Sequence, residues 1–159
     1  MELTIGSIAP DFKLYDTEKN LVSLSDYKGK NVVLLFFPLA FSGVCTKELC
    51  SVRDDFSSYG NLNAEILGIS IDSLFTLGKF KQAENLGFKL LSDFNADVIT
   101  SYGLKFDVFP SFQYKNVAKR AAFVIGPDGK IKHKEIMPTP GEVPSFDAIK
   151  ECLGVLVAQ

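Results

Sequence analysis

The chain has 159 residues, enough for one domain with a sizeable core, so a single domain over residues 1–159 is predicted. With 47% hydrophobic and 23% charged residues, the composition excludes a disordered chain, and the net charge of −2 argues against a nucleic-acid partner. The longest apolar run, residues 32–37, is far shorter than the roughly 20 residues of a membrane-spanning helix.

Cysteine content and the N-terminal residues predict the compartment. Three cysteines are an odd and small number, which is typical of reduced thiols rather than of a secreted disulfide framework. The first four residues contain no basic segment and lead into no apolar one, so no secretory signal is predicted. We therefore expect a cytoplasmic protein.

The first elements predicted in chain order are a strand and a helix. Residues 32–37 form an apolar run of strand length, and Pro38 ends it because proline cannot continue a central strand. Apolar residues at helical spacing follow, and Gly60 and Asn61 supply a stop signal. Cys45 begins the core-facing stripe of this helix, which comprises Cys45, Leu49, Val52, Phe56 and Tyr59.

The middle of the chain repeats this alternation. Residues 66–71 are predicted as a second buried strand, and residues 96–102 as a short helix ended by Gly103. A longer helix lies between the first of these and the Leu90-Leu91 segment. It is predicted from Leu74, Leu77 and Phe80, with Asp72 or Ser73 as N-cap and Gly87 as C-cap.

The last predicted elements are a hairpin and a C-terminal helix. Residues 121–125 and 131–136 flank a Gly-Pro-Asp-Gly turn, which predicts an antiparallel pair. The helix starts near Pro144 and carries Phe146, Ile149, Leu153 and Leu156. Alternating strands and helices predict an α/β fold with a mixed, mainly parallel central sheet and helices on both faces.

Cys45 stands where a helix is predicted to start, and the first turn of a helix favours an anion. This position indicates a reactive thiolate, although a buried structural cysteine is an alternative interpretation. Ser42 is placed to donate to a sulfur or a bound oxygen, or to cap the helix, and local reasoning favours the cap. Arg120 directly precedes the strand at 121–125 and is a candidate partner of the thiolate, the alternative being a surface arginine.

Pro38, Ser42 and Cys45 match the Pro-x-x-x-[Thr/Ser]-x-x-Cys signature, and with it the chain resembles the peroxiredoxins. Ser42 in place of the commoner Thr is the one departure, and it keeps the hydroxyl. Glu48 and Arg120 also stand at positions where that family carries these residues. Segments 6–12, 91–93 and 125–131 resemble the family too, so the similarity extends over nearly the whole chain.

This resemblance implies a thioredoxin-like fold and a peroxidase for hydrogen peroxide and organic hydroperoxides, without a bound cofactor. The Cys45 thiolate would attack the peroxide and become a sulfenic acid, stabilised by Arg120 and the helix N-terminus. Ser42 would bind the peroxide and Pro38 would shield the site from water. Glu48 would orient Arg120, whereas without the resemblance it is interpreted as a solvated carboxylate.

The sulfenic acid must then be resolved by a second thiol. The Cys45-x4-Cys50 spacing resembles the peroxiredoxin Q or bacterioferritin-comigratory branch, which implies that Cys50 closes an intramolecular disulfide. In an intact helix the two Cα atoms are about 8.6 Å apart, beyond the roughly 7 Å that a disulfide tolerates, so the helix must unwind. Alternatives are a one-cysteine enzyme resolved by an external thiol, and resolution by Cys152, for which packing in the C-terminal helix is the favoured interpretation. The expected reductant is a thioredoxin-like protein or a small thiol.

Two further functions are weighed against the peroxidase. A disulfide exchanger would need thiols at Cys-x-x-Cys spacing, and Cys45 to Cys50 is too long. A non-enzymatic, chaperone-like protein is motivated by the 14 Phe residues, which could equally all be core. His133, the only histidine, is predicted to face solvent, so no metal site is expected. A homodimer is left open.

Overall fold

A seven-stranded sheet forms the centre of the computed structural model, which describes residues 3–158. The strands lie in the spatial order β2-β1-β5-β4-β3-β6-β7. Their bounds are β1 Lys13–Asp16, β2 Leu21–Ser23, β3 Asn31–Phe36, β4 Ala64–Ser70, β5 Lys89–Ser92, β6 Ala121–Ile125 and β7 Ile131–Ile136.

Helices cover both faces of this sheet, as predicted. They are α1 Gly43–Asp54, α2 Phe56–Asn61, α3 Leu74–Ala83, α4 Asp97–Ser101 and α5 Phe146–Val157, with a 3-10 turn at Leu24–Tyr27. Because successive strand residues point to opposite faces of the sheet, β3 contributes side chains to two hydrophobic cores. Leu34 packs with α4 in one core, while Val33 and Leu35 pack with α1, α2, α3 and α5 in the other.

The mixed character of the sheet is confirmed, but parallel pairing is less extensive than predicted. Only β3–β4 and β4–β5 are parallel, whereas the remaining strand neighbours among the described residues run antiparallel. The β6–β7 hairpin has its predicted bounds. The β1–β2 hairpin was not predicted, because these two strands are only four and three residues long.

The helix predicted from Cys45 to Tyr59 is in fact two helices, with the break at Asp55. The Asp55 carboxylate binds Lys150 Nζ on α5 at 2.5 Å and accepts a hydrogen bond from the Ser58 hydroxyl at 2.5 Å. Both contacts hold Asp55 in a non-helical conformation at the junction. Phe56 is consequently 42% exposed rather than a core residue.

The end of α3 also differs from the prediction. Gly87 is not its C-cap, because α3 ends at Ala83 and Glu84 is the C-cap. Asn85 then takes a positive φ of 52°, and the N–H groups of Asn85 and Leu86 bond back to the carbonyls of Gln82 and Lys81. This pair of bonds is a Schellman motif, in which asparagine serves where glycine is commoner.

Within residues 3–158, no helix combines the length and the apolar character needed to cross a membrane.

Candidate active site

Cys45 lies near the start of α1, just after the turn that connects this helix to the carboxyl end of β3. Phe37 and Pro38 remain buried after β3, the chain turns over residues 39–42, and Cys45 is the third residue of α1. Cys45 is 0% exposed and packs in the core that includes Phe37 and Leu49. Burial alone fits a structural cysteine as well as a reactive one, so the neighbouring polar groups decide what this thiol can do.

The turn before α1 is held in place by Asp72, which follows β4. Its carboxylate Oδ2 accepts hydrogen bonds from the Ala40 amide at 2.8 Å and from the Ser70 hydroxyl at 2.6 Å. Ser73, not Asp72, caps α3 by accepting from the Thr76 amide. The sequence left open which of the two was the cap, and it gave no signal that Asp72 fixes the turn leading to Cys45.

Ser42 occupies the N-cap position of α1, but its side chain does not cap the helix. The Ser42 hydroxyl donates to the Leu39 carbonyl at 2.8 Å, and no side chain of the described residues caps the first turn. The predicted capping role is therefore wrong. Because the Ser42 hydroxyl is bonded back into the turn, it leaves the first-turn amides of α1, including that of Cys45, available to donate to an anion.

Arg120 and Glu48 form a buried ion pair beside this turn. In the pairing of β6 with β3, Ala121 lies opposite Phe36, so Arg120 stands at the end of β3 where α1 approaches. Arg120 Nη1 donates to Glu48 Oε1 at 2.7 Å, and the two residues are 2% and 1% exposed. The interpretations as a surface arginine and a solvated glutamate are both wrong.

The guanidinium of Arg120 makes a second hydrogen bond, to a backbone carbonyl. Its Nη2 donates to the Pro140 carbonyl at 3.0 Å, in the segment between β7 and α5. Arg120 Nε and Glu48 Oε2 are buried and have no partner among the described protein groups. Because residues three apart on a helix lie on one face, about 5–6 Å apart at Cβ, Glu48 brings this charged pair within one turn of Cys45.

Burial of Glu48 shifts its proton affinity. Loss of water raises the pKa of Glu48 from 4.5 to about 7, although the charge and the hydrogen bond of Arg120 oppose this rise. The folded protein therefore binds this proton more tightly than the unfolded chain between these two pH values. The contribution of Glu48 to the free energy of unfolding consequently decreases as the pH rises through that interval.

This shift predicts a pH-dependent difference between the wild type and the Glu48→Gln variant, because the amide cannot titrate. The free energy of unfolding of the wild type, relative to that of the variant, should fall by about 2–3 kcal/mol between about pH 5 and pH 8. Urea unfolding at several pH values measures this difference. A difference that stays constant over the range would show that Glu48 titrates normally.

Cys50 and Cys152 are both half-buried, and all three cysteines are free. Cys50 Sγ donates to Glu84 Oε2 at 3.3 Å, a contact that the sequence did not predict. Cys152 packs with α5 against the core that contains Cys45, with its Sγ 3.8 Å from the Lys132 carbonyl oxygen. Its predicted packing position is confirmed.

His133 was predicted to face solvent, but it is half-buried in the structure. Its side chain is 20% exposed, and its Nε2 lies 2.9 Å from Glu135 Oε2 on the same strand. The two residues are two apart on β7, so they project from the same face and can pair. Across residues 3–158, no three His, Cys, Asp or Glu side chains are grouped closely enough to hold a metal ion.

Comparison with known proteins identifies the family to which this chain belongs. Residues 5–134 match the sequence profile of the AhpC/TSA family. This chain is a member of that family, the peroxiredoxins. It is 38% identical to alkyl hydroperoxide reductase E of Mycobacterium tuberculosis over 159 aligned residues, which cover 98% of this chain and 99% of the relative.

Solved peroxiredoxin structures share the architecture. Peroxidoxin BcpB from Mycobacterium tuberculosis superposes with a TM-score of 0.82 at 30% identity, covering 99% of this chain and 98% of the other. A reduced 2-Cys peroxiredoxin from Plasmodium vivax has a TM-score of 0.82 at 28% identity, with coverage of 94% and 80%. The thioredoxin-like fold is therefore confirmed, and peroxiredoxin membership implies thiol-dependent peroxidase activity.

Proposed function

We propose that this peroxiredoxin reduces hydrogen peroxide and organic hydroperoxides with Cys45 as the nucleophile and Cys50 as the resolving thiol. The observation that carries the proposal is the fully buried Arg120–Glu48 pair, one helical turn from Cys45 at the uncapped start of α1. A merely structural cysteine has no need of a buried guanidinium beside it, since burying charge costs several kcal/mol.

In the first step, the Cys45 thiolate attacks one peroxide oxygen. An S–O bond forms and the O–O bond breaks, so the sulfur is oxidised to a sulfenic acid and the peroxide leaves as hydroxide or alkoxide, which takes a proton from solvent. Arg120 and the first-turn amides of α1 would stabilise the thiolate and the charge on the leaving oxygen. The unpartnered Nε of Arg120 is a donor available for this task. Ser42 would bind the peroxide by turning its hydroxyl from Leu39, and the buried Pro38 would exclude water.

In the second step, Cys50 gives up its proton and the resulting thiolate attacks the sulfenic sulfur of Cys45. An S–S bond forms, the S–O bond breaks, and the hydroxyl leaves with the thiol proton as water. Both cysteines lie on α1, where an intact helix holds their Cα atoms about 8.6 Å apart. The part of α1 between Cys45 and Cys50 must therefore unwind before the disulfide can close.

The resolving role is tested by a pair of cysteine variants. After one equivalent of hydrogen peroxide, Cys50→Ser should gain one oxygen on Cys45 and form no intramolecular disulfide, because the thiol needed for condensation is missing. Cys152→Ser should still lose two hydrogens, since Cys152 has a packing role. Intact mass and peptide mapping report both products. A disulfide from Cys45 to Cys152 in the wild type would move the resolving role to α5.

Turnover tests the activity and the reductant together. We expect the wild type to consume hydrogen peroxide and tert-butyl hydroperoxide continuously with thioredoxin, thioredoxin reductase and NADPH. Turnover with dithiothreitol but not with thioredoxin would assign the reductant role to a small thiol. No turnover with either reductant would overturn the proposed function.

The two competing functions, a disulfide exchanger and a chaperone-like protein, predict different experimental results. A disulfide exchanger would reduce insulin without peroxide, and we expect no such activity. A chaperone-like protein would suppress aggregation equally well after Cys45→Ser. Phe75, Phe94 and Phe112 are exposed, so the Phe residues are not all core. Such apolar surface fits a homodimer too, which stays a prediction that light scattering would test.

A further inference from the structure

The Cys50 thiol is bound to the end of another helix. Cys50 is the eighth residue of α1, in its third turn, and its Sγ donates to Oε2 of Glu84 at 3.3 Å. Glu84 is the C-cap of α3, 34 positions along the chain, and its side chain is half-buried. The contact therefore joins the helix that carries both proposed redox cysteines to a neighbouring helix.

Glu84 is itself held in place by α1. Arg53 Nη1 donates to the Glu84 carbonyl oxygen at 2.7 Å, while Arg53 Nε binds the Asp54 carboxylate at 2.9 Å. Arg53 follows Cys50 by three residues, so it lies on the same face of α1. Glu84 thus receives one bond from each of two successive turns of α1, to its carboxylate from Cys50 and to its backbone carbonyl from Arg53.

The charged groups facing Cys50 disfavour its thiolate. Burial raises the pKa of the Cys50 thiol, the Glu84 hydrogen bond and charge raise it further, and Asp54 adds to the rise while Arg53 opposes it. The thiolate is the form that attacks sulfur. In the folded helix, Cys50 is therefore kept both protonated and anchored away from Cys45.

We propose that Glu84 is a latch on the resolving thiol, a positioning residue that slows disulfide formation between Cys45 and Cys50. This inference rests on the proposed function, because it requires Cys50 to resolve Cys45. When α1 unwinds, the Cys50–Glu84 bond must break before the S–S bond can form. The Cys50 proton then leaves with the sulfenic hydroxyl as water.

The latch has a consequence for overoxidation. While Cys50 is held, the Cys45 sulfenic acid stays exposed to a second peroxide, which adds one oxygen to the sulfur to give a sulfinic acid and releases water or alcohol. A faster resolving step would leave less sulfenic acid for this reaction. Glu84 therefore sets the division of product between disulfide and sulfinic acid.

The test compares the wild-type protein with Glu84→Gln, which keeps the side-chain shape and removes the charge. Reduced protein is mixed with hydrogen peroxide, quenched at successive times with an alkylating reagent, and analysed by intact mass and peptide mapping. Loss of a charge-assisted bond at a half-buried site should raise the rate of Cys45–Cys50 disulfide formation about fivefold. The sulfinic share at high peroxide should fall accordingly, while the rate of sulfenic acid formation stays unchanged.

The pH profile separates the latch from a general loss of stability. The rate of disulfide formation is measured as a function of pH. The pH at which this rate reaches half of its maximum should be lower in Glu84→Gln than in the wild type, because the Cys50 thiol then ionises more easily. Glu65→Gln is the matched control: it removes an exposed carboxylate of β4 that pairs with Lys30, and it should change neither the rate nor the pH of half-maximal rate. Equal effects of both variants would overturn the latch.

Peptide mapping of the oxidised wild type separates a failure of the latch from a failure of the proposed function. If the wild type forms the Cys45–Cys50 disulfide and Glu84→Gln forms it at the same rate or more slowly, the latch is wrong and the proposed function stands. If the wild type consumes peroxide but forms no such disulfide, Cys50 is not the resolving thiol, and the latch fails with it.

Discussion

Replacing Cys45 with serine should abolish peroxide reduction. A serine hydroxyl does not ionise near neutral pH and is a far weaker nucleophile than a thiolate, so the second-order rate constant with hydrogen peroxide should fall at least about 1000-fold. The position amplifies the loss, because a neutral hydroxyl gains little from Arg120 or from the start of α1. Peroxide consumption with thioredoxin, thioredoxin reductase and NADPH measures the effect.

The matched control for this variant is Cys152→Ser. Cys152 packs on α5 against the same core, so both variants place a hydroxyl in an apolar environment. Circular dichroism and urea unfolding establish that each is folded. Cys152→Ser should retain the wild-type rate of peroxide consumption. Retained activity in Cys45→Ser, with the fold intact, would assign the chemistry to another residue.

Truncating Glu48 to alanine should strongly destabilise the protein. The change leaves the Arg120 guanidinium buried, with the Pro140 carbonyl as its one remaining hydrogen-bond partner among residues 3–158. Breaking a buried ion pair by removing one member costs about 3–5 kcal/mol, because the remaining charge is uncompensated. Urea titration of the wild type and the variant at pH 5 and pH 8 measures this loss in the free energy of unfolding, which should be smaller at pH 8 because the contribution of Glu48 decreases as it ionises. We expect the rate of Cys45 oxidation to fall as well, since Arg120 loses its fixed orientation.

An exposed ion pair provides the control for the second prediction. Lys30 and Glu65 lie 3.4 Å apart, with about half of each side chain exposed. Glu65→Ala should cost less than about 1 kcal/mol, because solvent screens such pairs. Similar losses for Glu48→Ala and Glu65→Ala would mean that the Arg120–Glu48 pair is not the buried, fixed unit described above.

Periodicity and turn chemistry predicted most of the fold. The β6–β7 hairpin was predicted with its bounds, since two apolar or alternating runs flank a Gly-Pro-Asp-Gly turn. The break at Asp55 was not predicted, because it depends on Lys150, 95 positions away. The end of α3 was misplaced because Asn85, rather than a glycine, takes the positive φ.

The residues of the candidate site and the contact of Glu48 with Arg120 were predicted through the family resemblance, but the other contacts were not. Pro38, Ser42 and Cys45 are close in sequence, so their spacing alone indicates a thiol at a helix start. Asp72, Pro140 and Glu84 contact the site across the fold, and their spacing to Cys45 carries no signal. Burial of Glu48 was likewise invisible, since a carboxylate in the first turns of a helix is usually solvated.

The most direct test of the central claim is the mass of the reduced wild-type protein after one equivalent of hydrogen peroxide, with peptide mapping of the product. We predict a rapid loss of two hydrogens mapped to a disulfide between Cys45 and Cys50. Added oxygen on Cys45 alone would keep the nucleophile and make the protein a one-cysteine enzyme. An unchanged mass at Cys45 would contradict the account.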